Sequence, residues 1–277
     1  MLELPDTLDP AAVQAVAMDL DRTILGASLE LTPRLIAAVK AAAAAGVVPI
    51  VATGRMLRSS RPFALQLGVT APLICYQGAL VADPQTGEWL FHDPMPVELA
   101  REVIAACRTR DQHCNVYVDD ELYVDELNLY ALEYARHAKL EAHPVGDLER
   151  WLTEPTTKIV VVGEPGLLDA LQIELREIFC RRVFIAKSLP FFLEVAQPDV
   201  SKGSALHWVC RRAGIDPQHV VAFGDGGNDI ELLQEAGLGM AVADADPVLL
   251  EHAQAIVPSV EEDGVARFLE SLVSARA

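Results

Sequence analysis

The stretch Val16-Ala17-Met18-Asp19-Leu20-Asp21 constrains the fold more than any other in this chain. Its apolar start reads as a buried strand that ends abruptly on two carboxylates, with Thr23 just behind them. Carboxylates are rarely buried without a partner, and two so close together repel. The segment is therefore either a plain exit from strand to loop or a place where a cation sits between the acids.

Beyond this strand the chain repeats a pattern. Thr32-Pro33 supplies an N-cap and a proline at the first helical position, opening a helix that stops at Gly46. The apolar strand 47–52 breaks at Thr53-Gly54-Arg55, a second helix runs to about Gly68 with Pro62 obscuring its start, and 72–81 reads as a third strand. Strand and helix alternating at this pitch predict a doubly wound, Rossmann-like parallel sheet with helices on its faces. From 79–92 onward the pattern changes to hairpins mixed with helices: a helix from about Pro96 to Arg110, strands around Asp119-Asp120 and at 157–164 and 182–196, and a helix from Leu167 to Phe179. From Ser201 the first pattern resumes. The expected architecture is an α/β core of residues 1–83 and 197–277 with an α+β domain inserted at 84–196.

At 277 residues, half of them apolar, the chain can bury a substantial core. Asp and Glu outnumber Lys and Arg by 40 to 22, a formal charge of −18, which repels nucleic acid and anionic lipid; neither is an expected partner. Charge says little about a small anionic substrate, because a metal or a few local cations can reverse the field at one site. Cys75, Cys107, Cys114, Cys180 and Cys210 form no CxxC pair and are odd in number, the usage of a reducing compartment. The acidic opening MLELPDTLDP lacks the pattern of a signal peptide, and the longest apolar tract is interrupted by Lys40, Gly46 and Pro49. The expectation is a soluble, cytoplasmic protein of open oligomeric state.

Ligands of doubly wound sheets bind beyond the carboxyl ends of the strands. Four signals fall there: Asp19-Leu20-Asp21-Arg22-Thr23, Thr53-Gly54, Lys202 in the first turn of a helix, and Gly224-Asp225-Gly226-Gly227-Asn228-Asp229. Singly, each has a plain reading as an acidic exit, a turn, a solvated lysine or a tight loop. Together they supply carboxylates, a hydroxyl, an ammonium and backbone amides, the inventory of magnesium-dependent phosphoryl transfer through a covalent aspartate. Mg²⁺ takes hard oxygen ligands and would relieve the Asp19–Asp21 repulsion. Thr53 and nearby N–H groups can hold phosphate oxygens, and Lys202 adds a compact positive charge. A second carboxylate two residues from the nucleophile can move a proton to the leaving oxygen and later take one from water. Arg55 and Asn228 are read as either substrate contacts or supports.

DxDxT, TGR, an SKG lysine and GDGxND in this order resemble the haloacid dehalogenase superfamily of phosphatases. The long insertion resembles its Cof-type branch, which carries a C2B cap. That resemblance implies Asp19 as nucleophile and Asp21 as general acid–base. It implies magnesium held by Asp19, the Asp21 backbone carbonyl and Asp225 with Asp229 nearby, and phosphate held by Thr53, Lys202 and the Gly54 backbone. Arg22 replaces a common glycine, Gln77 a common asparagine, Leu232 or Leu233 a common methionine, and Asp244 stands where an asparagine is usual. The expected activity is hydrolysis of a small phosphorylated metabolite, a sugar phosphate first, through an aspartyl-phosphate intermediate. A phosphomutase shares this chemistry, and a non-catalytic receiver-like module shares the acidic pocket, threonine and lysine. An inserted domain favours the enzyme, since a switch gains nothing from a cover over its site.

Overall fold

The computed structural model describes residues 2–276. The chain divides into two compact units, residues up to 91 with those from 201, and residues 92–200. The expected insertion limits of 84 and 196 therefore both move later in the chain. The first limit moves because the strand Trp89–His92 completes a hairpin sheet begun at Leu73.

In the first unit five strands form a parallel sheet in the order Ala255–Val257, Leu238–Val242, Val220–Gly224, Ala15–Met18, Val48–Val51. The earliest strand lies inside the sheet, with the next one on one side and the three late strands on the other. This places a topological switch between Ala15–Met18 and Val220–Gly224, where such sheets bind ligands. Both strands are wholly buried, as continuous apolar runs require. The Ala-rich helix Pro33–Ala44 starts where expected: the Thr32 hydroxyl accepts the Leu35 N–H at 3.1 Å. It buries Leu35, Ala38, Val39 and Ala42, a helical stripe, and packs on the last helix, Gly264–Arg276. The helix Leu57–Leu67 begins five residues before Pro62, which lies inside it.

The stretch 72–81 is not one strand. Leu73–Cys75 and Leu80–Ala82 run antiparallel around a tight turn, with φ of 51° at Tyr76, 59° at Gln77 and 104° at Gly78. Left-handed backbone at two residues with side chains is costly, and apolar periodicity gives no sign of it. The turn is held by its neighbour: the Tyr76 N–H donates to the Arg55 carbonyl at 2.9 Å and the Gln77 N–H to the Thr53 carbonyl at 3.1 Å.

The second unit is a six-stranded sheet in the order Phe184–Leu189, Phe192–Ala196, Lys158–Val162, His113–Val118, Glu121–Val124, Ala142–Pro144. Helices Val97–Arg108 and Pro165–Phe179 pack Ile104, Cys107, Leu171 and Leu175 against Val116, Ile159 and Val195 on one sheet face. Period-two alternation sends His113, Asn115, Tyr117, Lys158 and Glu194 to the opposite side. There Lys158 Nζ reaches Glu194 at 3.2 Å, and the helix Leu129–Ala138 lays Tyr134 OH on Tyr117 OH at 2.7 Å. That helix, the strand Ala142–Pro144 and the short helix Leu148–Trp151 lie outside the sequence expectation. Leu129 and Leu132 are exposed, which blurs the helical period. No disulfide joins the five cysteines, and among the described residues no helix is long and apolar enough to cross a membrane.

Candidate active site

Because Met18 pairs in register with Phe223, the next residues of these parallel strands leave the sheet side by side. Asp19 and Asp225 emerge there, both nearly buried. The Asp19 N–H is still tied to the Phe223 carbonyl at 3.1 Å. Thr23 lies between them, its hydroxyl 3.3 Å from Asp19 Oδ2 and 3.2 Å from Asp225 Oδ1. The motif's threonine thus bridges two acids, a role that its place in the sequence does not disclose.

Asp229 reaches the same point from one turn further on. One of its oxygens accepts the N–H groups of Asp225 and Gly226 at 3.1 Å each, closing the glycine-rich loop on itself. Gly224 is required here, since a Cβ on it would strike the Asp229 side chain. The other Asp229 oxygen lies 2.6 Å from Lys202 Nζ, which also reaches Asp19 Oδ1 at 2.5 Å. Lys202 is the first residue of the helix Lys202–Ala213, fixed by a Ser201 capping box, and only 1% exposed.

Carboxylate oxygens of Asp19, Asp225 and Asp229 all lie within 4.8 Å of one another. Burial pushes the Asp19 carboxyl well above the usual range, with Asp229, Asp225 and Asp21 adding to it and Lys202 opposing. Burial also works against charge on Lys202, but Asp19 and Asp229 outweigh it and hold the lysine protonated above its ordinary value. The two raised groups belong to one cluster, a charged lysine among three acids that outnumber it. A buried set of hard oxygens with surplus negative charge fits a divalent ion such as Mg²⁺.

The same geometry makes Lys202 a structural keystone. Lys202→Met should destabilise the fold by about 3–5 kcal/mol, the usual cost of leaving buried charge unpaired. Urea unfolding in chelator measures this, and a loss below about 1 kcal/mol would mean that the acids take up protons instead.

Asp21 points elsewhere. Both its oxygens are gripped by Arg55, Nε at 2.8 Å and Nη2 at 2.5 Å, and the guanidinium lies over the Phe63 ring at 5.4 Å. The Asp21 carboxylate therefore stands outside the three-acid cluster, and Arg55 is its support. Thr53 is fully buried; its hydroxyl accepts the Arg55 N–H at 3.1 Å and keeps its own hydrogen to donate. Gly54 leaves room for Gln77, whose amide a Cβ would meet, and Gln77 Oε1 accepts Asn228 Nδ2 at 3.0 Å. Asn228 is thus a strut between loops. Arg22, with φ of 60°, reaches Asp225 at 3.2 Å and the Asp244 carbonyl at 3.2 Å. A cavity of about 300 Å³ opens beside Asp21 and Arg22, walled by Leu25, Leu29 and Glu261.

A family model described as haloacid dehalogenase-like hydrolase matches residues 16–269. The chain is 30% identical to the HMP-PP phosphatase of Serratia proteamaculans over 92% of its own length and 93% of that protein's. It is 28% identical to the pyridoxal phosphate phosphatase YbhA of Escherichia coli, covering 93% of this chain and 98% of that one. The crystal structure of TM0651 from Thermotoga maritima is 30% identical, superposes with a TM-score of 0.84 and covers 94% of this chain and 97% of that chain.

Proposed function

The chain belongs to the haloacid dehalogenase-like hydrolase family, and from that membership we propose a Mg²⁺-dependent phosphatase that frees a small metabolite of phosphate through an aspartyl-phosphate on Asp19. The observation that carries the reading is the cluster of Asp19, Asp225 and Asp229 around Lys202 at the switch point of the sheet.

In this reading an Asp19 oxygen attacks phosphorus while the bond to the leaving oxygen breaks and Asp21 gives that oxygen a proton. Water then attacks the aspartyl-phosphate, Asp21 takes its proton, and inorganic phosphate leaves Asp19. Lys202, the Thr53 hydroxyl and the Gly54 backbone orient the phosphoryl oxygens and meet their charge. Arg55 holds Asp21 at a fixed place between the two half-reactions. Mg²⁺ held by Asp19, Asp225 and Asp229, with the Asp21 backbone carbonyl, would supply charge neutralisation for an anionic ester approaching an anionic nucleophile. Residues 92–200 are read as the C2B-type cap that selects substrates, in a cytoplasmic enzyme. Sugar phosphates remain the class expected first, and HMP-PP and pyridoxal phosphate, named for the two relatives, are the alternatives to screen beside them.

Phosphate release from such a panel, with and without Mg²⁺, tests the activity. Release undiminished in excess chelator would remove the metal from the reading, and transfer of phosphate to a second site on the same sugar would make the enzyme a mutase. A pH effect arises from Asp225, whose carboxyl is pushed up to about 6, by burial first and Asp229 second, against Arg22 and Lys202. A carboxyl raised in the fold costs nothing while protonated in both states. Its penalty appears as pH rises from the ordinary value near 4 through about 6. Metal uptake must displace that proton, so Mg²⁺ affinity should fall up to about tenfold per pH unit below 6. Calorimetric titration at about pH 5, 6 and 7.5 measures it, and equal affinity across that range would contradict the assignment of Asp225 as a ligand.

A further inference from the structure

Arg22 adopts a left-handed backbone, φ 60°, where a side chain costs conformational energy that glycine avoids. Its guanidinium is spent on one place. Nη1 lies 3.2 Å from Asp225 Oδ2 and 3.5 Å from Asp246 Oδ1, and Nη2 donates to the Asp244 carbonyl at 3.2 Å. The other Asp225 oxygen already receives the Thr23 hydroxyl, so the chain's own donors engage both oxygens of this carboxylate. The arrangement is braced, because the Asp246 N–H donates to the Asp225 carbonyl at 2.7 Å. The Asp225 carboxylate is 8% exposed but the arginine 56%, so the guanidinium can withdraw into water without opening the core.

We propose that Arg22 is a positioning residue that competes with the metal for Asp225 and so sets the affinity of the site for Mg²⁺ low. This rests on the reading of Asp19, Asp225 and Asp229 as the metal cluster. A divalent ion on Asp225 must share that carboxylate with a guanidinium or push it aside. A monovalent and a divalent cation a few ångströms apart weaken binding by a factor of about ten even at the dielectric constant of water. With three buried acids set against one lysine, the arginine supplies part of the missing positive charge from within the chain.

The test is calorimetric titration with Mg²⁺ alone on the wild type and on Arg22→Asn, Arg22→Gly and Arg22→Lys. Asparagine and glycine both tolerate a left-handed backbone and carry no charge. Both should bind Mg²⁺ about tenfold more tightly than the wild type, with a larger Mg²⁺-induced rise in melting temperature. Lysine, which keeps the charge, should stay within about threefold of the wild type. A role confined to bracing the 242–247 loop would lower the melting temperature in all three without tightening metal binding. Unchanged or weaker binding in both neutral variants overturns the proposal and leaves the metal cluster standing, provided that Asp225→Asn still abolishes uptake. A wild type that takes up no Mg²⁺ overturns the metal reading and this inference with it.

Discussion

Asp19→Asn should cut turnover by at least about 10⁴-fold while leaving the protein folded, because an amide oxygen cannot form the acyl phosphate and losing a nucleophile is among the costliest changes an enzyme can suffer. The same substitution carries an opposite expectation for stability. Burial and three neighbouring acids raise the Asp19 carboxyl despite Lys202, so its ionised form is held in the fold at a cost. Asparagine keeps the shape, drops that charge and leaves Lys202 its 2.6 Å partner, Asp229. In chelator the variant should therefore melt no lower than the wild type, and it should gain less from added Mg²⁺ because a charged ligand has become a neutral one. Steady-state phosphate release and thermal melts with and without Mg²⁺ read both effects. A variant retaining more than a trace of turnover would move the nucleophile elsewhere, and one that unfolds would make Asp19 a structural partner of Lys202 first.

The parts of this site written into short motifs were legible because each motif ends a strand or opens a helix, and strand ends of a parallel sheet converge. Asp19 and Asp225 are expected at one crevice because each follows an apolar run that reads as a strand of the parallel sheet, and the structure buries both runs, Ala15–Met18 and Val220–Gly224, throughout. Lys202 was legible as the first residue of a serine-capped helix. What the motifs could not carry was contact between side chains distant in sequence. That Arg55 would take both oxygens of Asp21, and Asn228 the amide of Gln77, depends on a turn at Tyr76–Gly78 whose left-handed residues are not glycine until the third. The sequence reads straight through that turn as strand. Thr23 is a similar case: threonine has many plain roles near a strand end, and only the separation of Asp19 from Asp225 shows it bridging them. In the second unit the helix Leu129–Ala138 has no clear signature in the sequence for a physical reason, two exposed leucines on a helix whose buried face holds Ala131, Tyr134 and Ala135.

Asp21→Asn tests the second carboxylate of the opening stretch, and its effect should depend on the leaving group. A para-nitrophenolate is stable without a proton, so its departure barely needs an acid. A sugar alkoxide is a poor leaving group and needs one badly. General acid–base assistance is worth about 10²- to 10⁴-fold, and the variant should lose that much in the transfer step with sugar phosphates. With the aryl ester, transfer to Asp19 should remain comparatively fast while hydrolysis of the aspartyl-phosphate slows, because the water has lost its base. The expected signature is a burst of para-nitrophenol stoichiometric with enzyme, then a slow phase, with hydroxylamine-sensitive label on Asp19. The fold should tolerate the change: the Asp21 side chain is 45% exposed, and an exposed ion pair such as that with Arg55 is worth about 1 kcal/mol or less. Asparagine keeps one oxygen for the Arg55 guanidinium, so the side chain should stay in place and the loss report on proton transfer more than on position. Rapid-quench measurement on both esters decides the matter. Equal losses on the two, with no burst, would mean that Asp21 acts only by anchoring Arg55 and that the proton travels by another group.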